Sequence, residues 1–224
     1  MIQSIEICRD SAQQAIVMAI ETSLWIYWLL CGVAATVLFC NRQDIPVLLS
    51  PNSAAAPPRQ KGYWGAVALG WSATFLAATG YILLTKKEIL GAYQLPDLAT
   101  FTLFNGILEQ LMFVFWFLGG CLVGKRLGIQ SGWKIFGLGF LGYSIYSGFI
   151  HALFWVSILP SHDISDFAIV RVGLLLLMSL SWMWLFWRYR AISAIICMHI
   201  VIDFLTIGHL HFTWFDSYQL ALLR

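Results

Sequence analysis

The chain has 224 residues, 60% of them hydrophobic and 11% charged, with a mean hydropathy of +0.78. Soluble domains carry about a quarter charged residues, so this balance excludes an ordinary soluble fold and points to a polytopic membrane protein. A net charge of +2 with no Lys/Arg cluster leaves no case for nucleic acid. Five cysteines without a C-x-x-C pair leave none for a zinc ribbon or a disulfide framework.

Residues 1–13 are polar and of mixed charge. They predict a short interfacial helix rather than a signal peptide, because the apolar run behind them is too long for an h-region. The first span is predicted over Ala15–Cys40. Residues 41–62, with SPNSAAAPPRQK at their centre, read as a linker that breaks any helix. The second span, Tyr63–Leu84, carries Gly70, Ala73, Ala77 and Gly80 at helical spacing, a small-residue stripe suited to close packing. The third span, Leu98–Val123, is expected to begin behind Pro96 with Asp97 as its N-cap. Thr102, Asn105 and Glu109 form a polar stripe along it, and Gln110 adjoins them.

The fourth span, Ile135–Leu159, is ended by Pro160 and places Ser144, Ser147, Gly148 and His151 on one face. The fifth, Ala168–Trp187, has Arg171 in its first turn and Arg188 and Arg190 beyond its far end. The sixth, Ala191–Ile207, is apolar except for His199 and Asp203, which lie four residues apart and so share a helix face. Residues 211–224 are amphipathic and aromatic, as an interfacial segment would be.

The expected fold is all-α, a polytopic membrane bundle of about six transmembrane helices. It divides into an N-terminal two-helix region (1–97) with the linker 41–62, a four-helix core (98–210) and an interfacial tail (211–224). Lys and Arg are concentrated in the loops after spans one, three and five, which places these odd loops in the cytoplasm. The location expected is an integral, multi-pass one, in the plasma (inner) membrane or an internal membrane.

At about 1.5 Å rise per residue, Glu109, His151, His199 and Asp203 all fall within roughly 10 Å of the membrane midplane. A single intramembrane histidine reads most simply as a hydrogen bond between helices. A buried carboxylate is different, since it must be neutralised, paired or hydrated. Four ionisable groups on three spans point to one intramembrane site.

The order Glu109, then His151, then His199-x-x-x-Asp203 resembles the CPBP family. That family groups CAAX prenyl proteases type II with bacteriocin-processing and Abi membrane proteins. Its members carry E-E-x-x-x-R, F-x-x-x-H and H-x-x-x-N/D on transmembrane helices. The resemblance covers roughly residues 98–210. The third motif fits; in the second, Ser147 stands where Phe is expected; in the first, Gln110 replaces the second Glu and Val114 the Arg.

The resemblance implies a glutamate-dependent intramembrane endopeptidase acting on a membrane-embedded or lipid-modified (prenylated or leader) peptide, with no cofactor. Glu109 would be the general base and His151 would help to hold the water. His199 and Asp203 would stabilise the oxyanion, with Asn105, Gln110 and Ser147 in support. The incomplete first motif also admits a non-catalytic scaffold or assembly factor. A divalent metal held by Glu, His and Asp, or a haem between the two histidines, is a third and less favoured possibility, since no H-E-x-x-H pattern is present.

Overall fold

A computed structural model describes residues 22–49, 61–84, 95–153 and 168–210. The predicted interfacial helix 1–13, the start of the first span, the end of the fourth at 154–159 and the tail 211–224 lie outside them. The described residues form seven helices and no strand. They are α1 (Thr22–Cys40), α2 (Ile45–Leu49), α3 (Tyr63–Leu84), α4 (Leu95–Arg126), α5 (Gly132–Leu153), α6 (Ala168–Tyr189) and α7 (Ile192–Leu210).

Helices α1, α3, α4, α5 and α6 are long and apolar enough to cross a bilayer. In α7 the apolar stretch is Ile192–Gly208, near the lower limit of about 17 residues for a span. Large apolar side chains point outward, among them Leu29 (69% exposed), Trp64 (72%) and Leu83 (77%). Patches of this kind would drive aggregation in water, whereas lipid solvates them. The chain is an integral, multi-pass membrane protein with an all-α bundle.

The helix bounds differ from the predicted spans at several points. The linker holds a five-residue helix, α2, with Leu49 buried and its carbonyl accepting from Trp187 Nε1 at 2.9 Å. Helix α4 begins at Leu95, so Pro96 and Asp97 sit inside its first turn rather than before it. A first-turn proline gives up only an N–H that has no helical partner, so it starts a helix as readily as it stops one. Helix α5 begins three residues early, at Gly132.

The turns follow from local chemistry. After α4, Gly128 adopts φ +73°; its N–H reaches Lys125 O at 2.9 Å, and Ile129 N–H reaches Gly124 O at 3.1 Å. This is a Schellman cap, which needs a left-handed residue where glycine stands. Between α6 and α7 the left-handed residue is Arg190 (φ 57°). Its guanidinium turns back onto the carbonyls of Phe186 and Trp187 at the end of α6. That contact compensates for the conformation, and it places α7 directly after α6.

Helix α4 is the centre of the bundle. It packs along α5 on one side and α7 on another, while α3 packs along α6 and also touches α7. The small-residue stripe of α3 serves close approach: Gly70 faces Met198 and Leu185, and Ala73 and Ala77 are buried. Helices α5 and α6 meet where Trp133 stacks on Trp184 (5.1 Å) and contacts Trp187 (5.5 Å), and where Tyr143 bonds Ser179 at 2.7 Å. Beyond that bond, toward Leu153 and Val172, both helices line a cavity.

Helix α7 also approaches α4 closely. A methyl group on Gly106 would stand 2.9 Å from the backbone N and Cα of Ile200. Gly106→Ala is therefore expected to lower stability by about 1–3 kcal/mol, as overpacking does. Gly137→Ala, where nothing lies within 4 Å, is expected to be near neutral. Thermal unfolding in detergent checks this, and equal melting temperatures for the two variants would contradict it.

Candidate functional site

Asn105 and Glu109 lie one turn apart on α4, and His199 and Asp203 lie one turn apart on α7. Because Gly106 admits the α7 backbone, the two pairs face each other. Asn105 Nδ2 donates to Glu109 Oε2 at 2.8 Å and to Asp203 Oδ2 at 2.9 Å. One amide thus spans both carboxylates. His199 Nε2 stands 3.4 Å from Glu109 Oε2 and 3.5 Å from Asp203 Oδ1. One ligating atom from each of the three residues lies within 4.8 Å of the other two.

The far side of the imidazole is fixed by Gln110. His199 Nδ1 is 3.0 Å from Gln110 Oε1. With the amide oxygen facing the ring, Nδ1 carries the proton. Gln110 is fully buried, and its Nε2 has no hydrogen-bond partner among the described residues. The imidazole lies flat against Phe113 (5.6 Å, 3° between planes) and touches Trp182 at 5.5 Å. His199 is only 5% exposed and Glu109 9%.

Two contributors come from α1, which the sequence reading assigned no role. Tyr27 donates its hydroxyl to Glu109 Oε1 at 2.7 Å, and Tyr146 of α5 donates to Tyr27 at 3.3 Å. Trp28 Nε1 donates to Asn105 Oδ1 at 3.1 Å. A tyrosine and a tryptophan in an apolar run resemble ordinary lipid-facing aromatics. The one available signal is that a buried Tyr O–H or Trp N–H needs a partner.

The site opens on a cavity of about 660 Å³ lined by residues of α1, α3, α4, α5, α6 and α7. Glu109, His199, Asp203 and Asn105 form its polar end. Ser144, Ser147 and His151 line it from α5, as their shared face predicts. His151 is set apart from the trio. Its Nδ1 bonds the carbonyl of Ser147 at 2.7 Å, with Ser147 Oγ at 3.3 Å, and its ring lies against Phe113 at 6.3 Å. Phe113 thus touches both imidazoles. Of the predicted residues, Asn105, Glu109, Gln110, His199 and Asp203 form one hydrogen-bonded group, and Ser147 and His151 face it across the cavity. On α6 the lining is Val172, Leu175, Leu176, Met178, Ser179 and Trp182, while Arg171 is buried without lining the cavity.

The arrangement offers two carboxylates as proton acceptors and an imidazole held by Gln110 behind it and by the carboxylates in front, all beside a cavity. Groups of this kind can accept, hold and donate protons. The axial haem possibility needs the two imidazoles to face one central iron, but here the Phe113 ring lies against both. No family profile, curated protein or solved structure matches this chain.

Asn105→Ala removes the donor shared by the carboxylates and leaves both facing each other. It is expected to destabilise the protein by about 1–3 kcal/mol, the range for orphaning buried acceptors. Tyr27→Phe, which removes one donor from one oxygen, is expected to cost less. Unfolding in detergent measures both, and a larger loss for Tyr27→Phe would contradict the bridging role.

Proposed function

We propose that this chain is an intramembrane endopeptidase of the CPBP type, cleaving a peptide bond in a membrane-embedded or lipid-modified peptide. The observation that carries this reading is the meeting of Glu109, His199 and Asp203 at the wall of a cavity inside an apolar bundle. Two of the three residues form the best-matched motif of the resemblance, and the third is its glutamate.

In this reading a water in the cavity attacks the scissile carbonyl carbon and gives its proton to Glu109. His199, protonated on both ring nitrogens and oriented by Gln110 and Asp203, donates from Nε2 to the carbonyl oxygen as it gains charge. Glu109 then passes the proton to the leaving amine. Donors fixed in a dry site stabilise that charge strongly. The substrate enters sideways between α5 and α6. Ile26 and Leu30 of α1, Leu153 of α5 and Leu176 of α6 line the cavity and are each 41–55% exposed, which supports an apolar entrance.

The membrane proposed is the plasma (inner) membrane or an internal one, with the odd loops cytoplasmic. Lys125, Arg126 and Lys134 flank the α4–α5 turn, and Arg188 and Arg190 flank the α6–α7 turn. The contact of Trp133 with Trp187 supports placing both turns at the same face.

A second reading, a non-catalytic scaffold, is favoured by one feature: both oxygens of Glu109 already hold hydrogen bonds. Cleavage of a quenched fluorescent peptide library by the purified protein in bilayers separates the two. Glu109→Gln is expected to lower turnover by about 100-fold or more, the usual contribution of a general base. His199→Ala should fall by a similar factor. Cleavage unchanged in both variants would sink the catalytic assignment, and absence of cleavage in every form would favour the scaffold.

A further inference from the structure

We infer that the lipid-facing groove between α3, α5 and α6 binds one anionic phospholipid, its acyl chain in the groove and its headgroup on Lys61, Lys134 and Arg188. Such a site needs only the membrane-spanning bundle and is independent of peptide cleavage.

The groove follows from the order of large and small side chains. Leu69, Ser72, Ala73 and Leu76 share one face of α3 at i, i+3, i+4 and i+7. On α6 the matching face carries Leu177, Ser181 and Trp184. The three leucines are exposed and Ala73 is buried, so small residues leave a trough between large ones. Trp133 of α5, stacked on Trp184 at 5.1 Å, closes its side. Its volume is about 410 Å³, and it shares no lining residue with the cavity at Glu109. Ser181 turns its hydroxyl onto the Met178 carbonyl at 2.7 Å, so that polar group is already satisfied. The groove offers apolar contact rather than hydrogen bonds, which suits a hydrocarbon chain.

Its depth fits the same occupant. Arg188 lies eleven residues beyond Leu177 on α6, which is roughly 16 Å of helix. One leaflet of the hydrocarbon core is about 15 Å thick, half of the whole. A lipid with its headgroup at Arg188 would lay its chain along the groove as far as the midplane.

Positive charge stands at the open end. Arg188 follows Trp184 by one turn on the same face, Lys134 follows Trp133 in the first turn of α5, and Lys61 stands just before α3. The three helix ends meet there. Trp133 contacts Trp187 at 5.5 Å, and Tyr189 contacts Tyr63 at 5.7 Å, with the Arg188 guanidinium 5.9 Å from the Tyr189 ring. All three cations are exposed, and none forms an ion pair among the described residues. The first turns of α3 and α5 hold no acid. Cations beside tryptophans at the mouth of an apolar groove match a phosphate above a chain. A zwitterionic headgroup brings its own cation to that face, whereas an anionic one does not, so the charge selects the anionic class.

The test is native mass spectrometry of the full chain released from detergent, titrated with palmitoyl-oleoyl phosphatidylglycerol or with phosphatidylcholine of the same chains. The wild type is expected to hold about one phosphatidylglycerol, with about tenfold or more preference over phosphatidylcholine. The double variant Lys134→Gln/Arg188→Gln should bind the two lipids alike. Ser72→Leu, which fills the groove from an exposed position, should weaken both by about tenfold, as loss of chain burial would. Arg42→Gln, which removes a cation at the end of α1 away from the groove, should leave the preference unchanged. Elution volume and helical circular dichroism check that each variant is folded.

A wild type that binds no lipid, or binds both lipids equally, overturns the inference. So does a preference that survives in the double variant, or one that Arg42→Gln lowers just as much. A two-chain mass that Ser72→Leu abolishes would show that a second copy covers the groove, which also overturns it. The wild-type comparison needs no variant, so a misfolded mutant cannot shield the inference.

Discussion

Asn105 gives both hydrogens of its amide to carboxylates, one on its own helix and one on α7. Two carboxylates side by side in a lipid-embedded bundle are unstable without donors, because lipid cannot solvate them. Much of the local architecture answers that demand. Gly106 lets α7 come close enough for Asp203 to reach the amide. Helix α1 docks against α4 with Tyr27 and Trp28, which satisfy Glu109 and the amide oxygen. Gln110 holds the imidazole from behind. The polar group is therefore assembled by three helices that are distant in sequence, with α4 supplying its centre.

Around that centre the bundle divides into two packed pairs, α4 with α5 and α3 with α6, tied together by α7. Stacked tryptophans close the gap between α5 and α6 at one end, and the Tyr143–Ser179 bond closes it midway. What remains open is a cavity with polar groups deep inside and apolar side chains at its entrance. Such a shape suits a ligand that arrives through the bilayer with one polar bond to expose. Serines and His151 along α5 give it a polar wall opposite the trio.

The spans were legible because a bilayer imposes runs of about 20 apolar residues, a signal few other constraints imitate. Glu109, His199 and Asp203 were legible as ionisable groups inside such runs, and helical spacing put His199 beside Asp203. The start of α4 was not legible, since a proline reads alike as a stop or as a first turn. The five residues of α2 are too few to show a period. Tyr27 and Trp28 were missed because an aromatic in a greasy helix carries no polar signal until its partner is known. The distance of His151 from the trio could not be read either. It depends on how α5 is rotated against α4, which the packing of Gly139 on Cys121 and Phe117 and of Gly142 on the Trp116 carbonyl determines.

The central claim is that Glu109 and His199 are partners in one buried site. A double-mutant cycle on unfolding free energy, with Glu109→Gln, His199→Leu and the pair, tests it without reference to substrate or metal. A coupling of about 1 kcal/mol or more between the two positions is expected, as for residues in one polar network. Additivity within about 0.3–0.5 kcal/mol, the behaviour of independent sites, would contradict it.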